Sequence, residues 1–210
     1  MARSIPGDAL DPQTIKGFLA PDEGEALQAR AMQAADDAAG ALVEIGSWCG
    51  RSTVYLGRAA RACGRILFAV DHHRGSEEHQ PGEAYHDPDL FDAELRRVDT
   101  LPALRRTLAL ADLEAHVAAV TGPSAAVGAA FGGPASFVFI DGGHAMQTAL
   151  DDYRAWAGHV ARGGTLAIHD VFPDPEDGGR PPYEIWKMAC ESGLFEPITR
   201  VNTLEFLRRV

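Results

Sequence analysis

Val43-Glu44-Ile45-Gly46-Ser47-Trp48-Cys49-Gly50-Arg51-Ser52-Thr53 is the stretch on which the fold of this chain turns. An apolar run from Ala41 to Ile45 stops at a glycine, and helix-forming residues take over from Ser52 to Arg61. A short apolar run without polar alternation suits a strand buried on both faces of a parallel sheet. The turn after such a strand lies at its carboxyl end, where open α/β sheets bind their ligands. A dinucleotide needs glycines at the first, third and sixth positions of that turn, so that its pyrophosphate reaches the helix N-terminus. Here those positions hold Gly46, Trp48 and Arg51. The Trp48 side chain blocks that approach, which argues against NAD. What remains is the spaced set Glu44, Gly46 and Gly50.

Working outward, the same kind of apolar run recurs at Arg65 to Val70 (ending at Asp71), Val117 to Val120, Phe137 to Ile140 and Thr165 to Ile168. Helical stretches are expected between them, at Leu90 to Leu110 with a break near Pro102, and at Ala145 to Val160. Gly163 and Gly164 read as the tight turn from that last helix into its strand. Upstream, Asp22 and Glu25 after Pro21 predict a capping box. Leu27, Ala31, Ala34, Ala35 and Ala38 then follow at helical spacing until Gly40. The alternation predicts a single doubly wound α/β domain over residues 1–210, with residues 1–40 as an N-terminal helical segment. The tail differs: Glu196 to Val201, Asn202, then Thr203 to Arg209 reads as a hairpin that closes one edge of the sheet with an antiparallel strand.

At 210 residues the chain is long enough for one substantial core and short for two. Its net charge of −11 argues against a nucleic-acid partner, since phosphate binding draws on basic residues. No apolar run reaches the roughly 18 residues a membrane span needs, and Met1 to Leu10 lack the apolar core of a leader. Cys49, Cys63 and Cys190 show no CxxC spacing, so reduced thiols and a cytoplasmic location are expected. Two polar loops, residues 72–89 and 173–182, follow strand ends and are candidate lids.

The spacing Glu44-x-Gly46-x-x-x-Gly50 resembles the S-adenosylmethionine loop of class I methyltransferases. That resemblance implies cofactor contacts from Glu44, Gly46, Ser47, Gly50 and Ser52. Asp71 then stands where a carboxylate can accept both ribose hydroxyls. Thr121-Gly122-Pro123-Ser124 stands where related enzymes place small polar residues around the adenine, with Ser124 as the candidate. The plainer alternative is that the glycines only make a turn and Asp71 only caps a loop. A C-terminal antiparallel hairpin is also what separates the methyltransferase variant of this fold from the dinucleotide-binding one.

Ile140-Asp141-Gly142-Gly143-His144 ends one predicted strand and Ile168-His169-Asp170-Val171 ends the next. Asp141 and Asp170 can therefore converge, and two carboxylates with a third donor suit Mg²⁺. His169 as that donor fits Mn²⁺ better. Asp141 belongs to both the metal and the cofactor sets. The run Phe139 to His144, Asp151-Asp152-Tyr153 with Trp156, and Gly163 to Asp170 resembles metal-dependent small-molecule O-methyltransferases. The bacterial sugar O-methyltransferases are the nearer group and the catechol enzymes the more distant one. Val70 to His79 is similar to actinobacterial members that act on mannosides.

Where the catechol enzymes carry a basic lysine this chain has His144, which the resemblance makes the general base; deprotonation driven by the metal alone stays open. His73 is the candidate substrate contact. His72, His79 and His86 read as solvated loop residues, His116 and His159 as surface, and Tyr153 and Trp156 as packing. Trp186 is a candidate lid or subunit contact. The expected partner is a small-molecule hydroxyl acceptor of sugar type, with no nucleic acid or membrane and with a homodimer left open. A metal-dependent hydrolase leaves Glu44, Gly46, Gly50 and Asp71 unexplained, and a non-catalytic cofactor-binding protein leaves Asp141 and Asp170 unexplained.

Overall fold

Strand β1 (Ala41–Ile45) is an interior strand of a seven-stranded sheet, in a computed structural model that describes residues 10–174 and 176–210. Most of the segment read for a leader, and Pro175 of the second polar loop, lie outside the described residues. Before β1 comes helix α1 (Pro21–Asp37) and after it α2 (Arg51–Ala62), β2 (Leu67–Asp71) and a two-stranded ribbon, β3 (Phe91–Asp92) with β4 (Arg97–Val98). Then follow α3 (Leu101–Leu110), β5 (Val117–Thr121), α4 (Ser124–Ala130), β6 (Ala135–Ile140) and α5 (Met146–Trp156). The chain closes with β7 (Val160–Ile168), α6 (Arg180–Glu191), β8 (Phe195–Val201) and β9 (Leu204–Arg209).

The sheet order is β5-β2-β1-β6-β7-β9-β8, with every neighbouring pair from β5 to β7 parallel and β9 antiparallel to both β7 and β8. The doubly wound fold with its C-terminal hairpin is thus as the sequence predicts. Asn202, at φ 50°, makes the tight turn of that hairpin. One face is covered by α1, α2 and α3, around Leu27, Leu56 and Leu104. The other is covered by α4, α5 and α6, around Trp156 and Ile185. Burial on both faces explains the strands' unbroken apolar runs.

Four local expectations are corrected. The helix expected over Leu90 to Leu110 is only α3; Asp92 accepts the N–H groups of Glu94 and Leu95, which turns the preceding residues into the ribbon. Pro102 lies in the first turn of α3, where its missing N–H costs nothing, so it starts the helix rather than interrupting it. Gly163 and Gly164 lie inside β7, in a bulge: Ala135 pairs with Val160 but Phe137 already pairs with Thr165. A side chain at Gly164 would meet the Ser136 carbonyl oxygen at 2.6 Å, so close approach of two backbones is what needs a glycine there. Helix α1 starts at Pro21, and Glu23, not Glu25, folds back onto the Ala20 N–H at 3.2 Å. No helix among the described residues is long and apolar enough to cross a membrane.

Candidate functional site

Parallel strands stay laddered to their carboxyl ends and then diverge, which is what gathers the polar residues. Asp141 N–H donates to the Ile45 carbonyl at 2.9 Å, His169 N–H to Ile140 at 3.1 Å and Gly46 N–H to Val70 at 3.0 Å. The tips of β2, β1, β6 and β7 therefore stand side by side. Beyond three of those tips the backbone is strained: Trp48, His73 and Asp170 take φ of 48°, 58° and 55°. Non-glycine residues hold such angles only where the surrounding structure imposes them, commonly at functional sites.

On the β1–β2 side, Gly46 has φ 91°, and a side chain there would overlap the Asp141 carbonyl oxygen. Contact between the β1 and β6 tips is thus enough to require this glycine. Glu44 is wholly buried, and Thr53 Oγ1 donates to its Oε2 at 2.7 Å. Its other oxygen, Oε1, has no partner, and neither has the buried Ser47 hydroxyl. Burial pushes the Glu44 carboxyl up to about 8, against the pull of the Ser52 and Thr53 hydroxyls. A buried polar atom without a partner is costly. A cationic N–H group matches the chemistry these two orphans lack, and S-adenosylmethionine carries such an amino group, so the donor set fits the cofactor.

Asp71 faces the same tip: its Oδ2 accepts the Trp48 N–H at 2.8 Å and its Oδ1 accepts the His73 N–H at 2.7 Å. Each oxygen keeps a further lone pair for a ligand hydroxyl. Ser124 opens α4, and its hydroxyl accepts the Trp156 indole N–H at 2.8 Å. Beside it lies Asp152, 4% exposed, whose carboxyl burial raises to about 6 with the Ser124 hydroxyl pulling the other way. Asp152 Oδ2 also lies 2.5 Å from where a Gly142 side chain would begin, so it underlies the loop after β6. It was visible in the sequence only as part of the Asp151-Asp152-Tyr153 run.

On the β6–β7 side, one ligand atom each from Asp141, His169 and Asp170 lies within 4.8 Å of the others. His169 is 4% exposed, and its Nδ1 is 3.0 Å from Asp141 Oδ1 and 3.5 Å from Asp170 Oδ2. Burial alone would lower its pKa, yet Asp141, Glu23 and Asp170 together hold it well above the ordinary histidine value. Burial raises the Asp170 carboxyl, but His144 and His169 outweigh that and hold it low. Two carboxylates and an imidazole at this spacing are a donor set that a hard-to-borderline divalent cation takes, so Mg²⁺ or Mn²⁺ fits.

His144 Nε2 lies 3.1 Å from Asp170 Oδ2, and its Nδ1 lies 3.5 Å from Glu78 Oε1 of the first polar loop. The Asp170 carboxylate raises the His144 pKa despite burial. Both polar loops approach His144: Glu78 of the first faces its Nδ1, and a side chain at Gly179 of the second would begin 3.9 Å from its Cβ. Asp141, His144, Asp152 and His169, with Pro182 at the end of the second loop, line a small cleft of ≈10 Å³. A larger cavity of ≈280 Å³, lined by Arg30, Asp37, Gly163 and Arg208, lies at the opposite end of β7. Size and chemistry thus point to different places, and the titratable groups mark the first.

His73 is 1% exposed, with its Nδ1 2.7 Å from Thr100 Oγ1 and its Nε2 without a partner. Its backbone N–H donates to Asp71. Trp186 is partly buried and packs with Tyr183 against the core, at 5.5 Å between rings. His79 is not a free loop residue: it stacks on Trp48 at 4.1 Å. The residue that sequence reasoning missed is Glu23, 3% exposed, whose Oε2 lies 3.1 Å from His169 Nε2.

A family model described as a methyltransferase domain matches residues 43–171. Among solved structures, the chain is similar to the O-methyltransferase TomG from Streptomyces achromogenes in complex with SAM. The two are 17% identical over 92% of this chain and 82% of that one, with a TM-score of 0.63. An O-methyltransferase from Bacillus cereus in complex with SAH is 16% identical over 91% and 83%, at 0.62. A TDP-rhamnose 3'-O-methyltransferase of calicheamicin biosynthesis is 14% identical over 91% and 82%, at 0.59. At these identities the three share a fold with this chain.

Proposed function

The chain belongs to the methyltransferase-domain family, and from that premise we propose that it transfers a methyl group from S-adenosylmethionine to a hydroxyl of a small molecule, a sugar of mannoside type. The observation that carries the reading is the meeting of two half-sites. The orphaned Glu44 and Ser47 at the β1 tip adjoin Asp141, His144, His169 and Asp170 at the β6 and β7 tips. The sugar class rests on the Val70 to His79 resemblance, and one similar structure is that of a sugar O-methyltransferase.

Glu44, Ser47 and Asp71 would bind the cofactor, which supplies the electrophilic methyl group. Asp141, Asp170 and His169 would hold a divalent cation, whose chemistry is to lower the pKa of a nearby hydroxyl. His144 would take the proton of the acceptor hydroxyl as that oxygen receives the methyl group, with S-adenosylhomocysteine as the other product. To accept that proton the ring must be neutral and turned from Asp170 or Glu78. The two loops bordering His144 exclude water and hold the acceptor in line with the methyl group.

Calorimetric titration with S-adenosylmethionine, with and without Mg²⁺, followed by methyl transfer to mannosides and to catechols, tests this reading. Cofactor binding and metal-dependent methylation of the sugar are expected. Absence of cofactor binding would overturn the activity; rapid methylation of catechols with none of sugars would overturn the acceptor class alone.

A further inference from the structure

We infer that Glu23, at the start of the N-terminal helix, is a positioning residue that orients His169 toward the cation; the inference rests on the metal-dependent reading above. The Glu23 carboxylate accepts four hydrogen bonds in a pocket that leaves it 3% exposed. Its Oε2 faces the Ala20 N–H at 3.2 Å and His169 Nε2 at 3.1 Å. Its Oε1 takes the Thr203 N–H at 3.1 Å and the Thr203 hydroxyl at 2.9 Å. One side chain therefore ties α1 and the tip of the β8–β9 hairpin to the residue that follows β7.

An ionised carboxylate has no hydrogen to give, so His169 Nε2 must be the donor in this pair. With Nε2 carrying the hydrogen, the lone pair of a neutral ring falls on Nδ1. That is the nitrogen 3.0 Å from Asp141 and 3.5 Å from Asp170. Metal-ligating histidines commonly give their second N–H to a carboxylate, which fixes the tautomer and raises ligand basicity. Glu23 has the place and the chemistry of that partner, although 146 residues separate it from His169.

Glutamine at this position cannot do the same. Each Glu23 oxygen faces one backbone N–H that can only donate, so a carboxamide must set its NH₂ against either Ala20 or Thr203. With the NH₂ on the His169 side, Nε2 becomes an acceptor and the hydrogen moves to Nδ1, removing the ligand. With the NH₂ on the Thr203 side, the hairpin tie is broken and the negative charge behind the imidazole is still lost.

The test is Mn²⁺ affinity, measured by calorimetry without cofactor or acceptor. Glu23→Gln is expected to weaken Mn²⁺ by about 10- to 100-fold, the usual effect of removing an outer partner of a metal ligand. Asn202→Gly cuts a second tie between the same elements, the 2.8 Å bond to Asp22 Oδ2, while keeping the positive φ of the turn and without touching His169. It should leave Mn²⁺ affinity unchanged, which separates orientation of His169 from general support of the hairpin. S-adenosylmethionine affinity reports that each variant is folded. Should Glu23→Gln not fold, NMR of isotope-labelled histidine in the Mg²⁺-loaded wild type decides: the hydrogen is expected on Nε2 of His169. Unaltered Mn²⁺ affinity in folded Glu23→Gln, equal weakening in Asn202→Gly, or a hydrogen on Nδ1 would each overturn the role of Glu23. A wild type that binds S-adenosylmethionine but no divalent cation would instead fail the metal reading, and this inference with it.

Discussion

Glu44 and Glu23 are the same side chain, 0% and 3% exposed, yet their carboxyls move in opposite directions. Burial drives Glu44 up to about 8, because one of its oxygens has no partner and two hydroxyls cannot offset the lost water. Burial acts on Glu23 in the same sense, but His169, Thr203 and Ala20 outweigh it and the carboxyl lies below its ordinary value. The difference teaches which half of the site is complete. The β6–β7 half is compensated from within, carboxylate against imidazole. The β1 half keeps an uncompensated acceptor, so it gains most from a cationic ligand.

The largest expected effect breaks the compensated half. Asp141→Ala and Asp170→Ala should each reduce turnover to the level of chelator-treated enzyme, while in Asp170→Ala the dissociation constant of S-adenosylmethionine stays nearly constant. Full activity of metal-stripped protein in excess chelator would remove the cation from the reaction. Next in size is His144→Ala, expected to lower turnover about 10²- to 10⁴-fold, the usual worth of a positioned proton transfer. Its cofactor affinity should change little, because His144 faces Asp170 and Glu78 and not the β1 turn. Wild-type turnover in that variant would leave deprotonation to the metal.

A third test sharpens the contrast between the two glutamates through pH. Below its ordinary 4.5 the Glu44 carboxyl is protonated in both folded and unfolded chains. Above that, the unfolded chain releases a proton that the fold retains until about 8. The contribution of Glu44 to stability is therefore fully present below 4.5 and is lost as pH rises through about 8. Its size is on the order of a few kcal/mol, since each tenfold change in proton affinity is worth about 1.4 kcal/mol. Glu44→Gln is permanently neutral, so melting curves should show it gaining on the wild type as pH rises from about 5 to about 9. Parallel melting temperatures across that range would mean that Glu44 is already compensated.

The sequence made one half of this site more legible than the other. The glycine-spaced turn after β1 and the Asp141 and His169-Asp170 tips are local patterns: each follows a buried apolar run, and the parallel ladder brings them together. Glu23 was invisible because its partner is distant in the chain, and Pro21-Asp22-Glu23 looked only like a helix start. The role of the His73 backbone was equally hidden. Its side-chain chemistry suggested contact with a ligand, and nothing local in the sequence shows that its N–H, like that of Trp48, is presented by a positive φ and donates to Asp71. The helix expected from Leu90 failed because a few polar turn residues, Asp92 above all, outweigh apolar spacing over a short stretch.

Asp71 gives the smallest effect and the finest discrimination within the β1 half. Its two oxygens already accept backbone N–H groups at 2.8 and 2.7 Å, so it orders the loops after β1 and β2 whether or not a ligand is bound. If it also receives the ribose hydroxyls, Asp71→Ala loses charge-assisted bonds worth roughly 1.5 to 3 kcal/mol each. S-adenosylmethionine affinity should then fall by about tenfold or more. Loosening of the loops alone would also weaken binding, but equally for ligands with and without the hydroxyls. The decisive measurement therefore compares S-adenosylmethionine with an analogue lacking both ribose hydroxyls. Wild type should discriminate strongly between them and Asp71→Ala should not. Equal discrimination by the two proteins would confine Asp71 to holding the Trp48 and His73 backbone and leave the ribose to another residue.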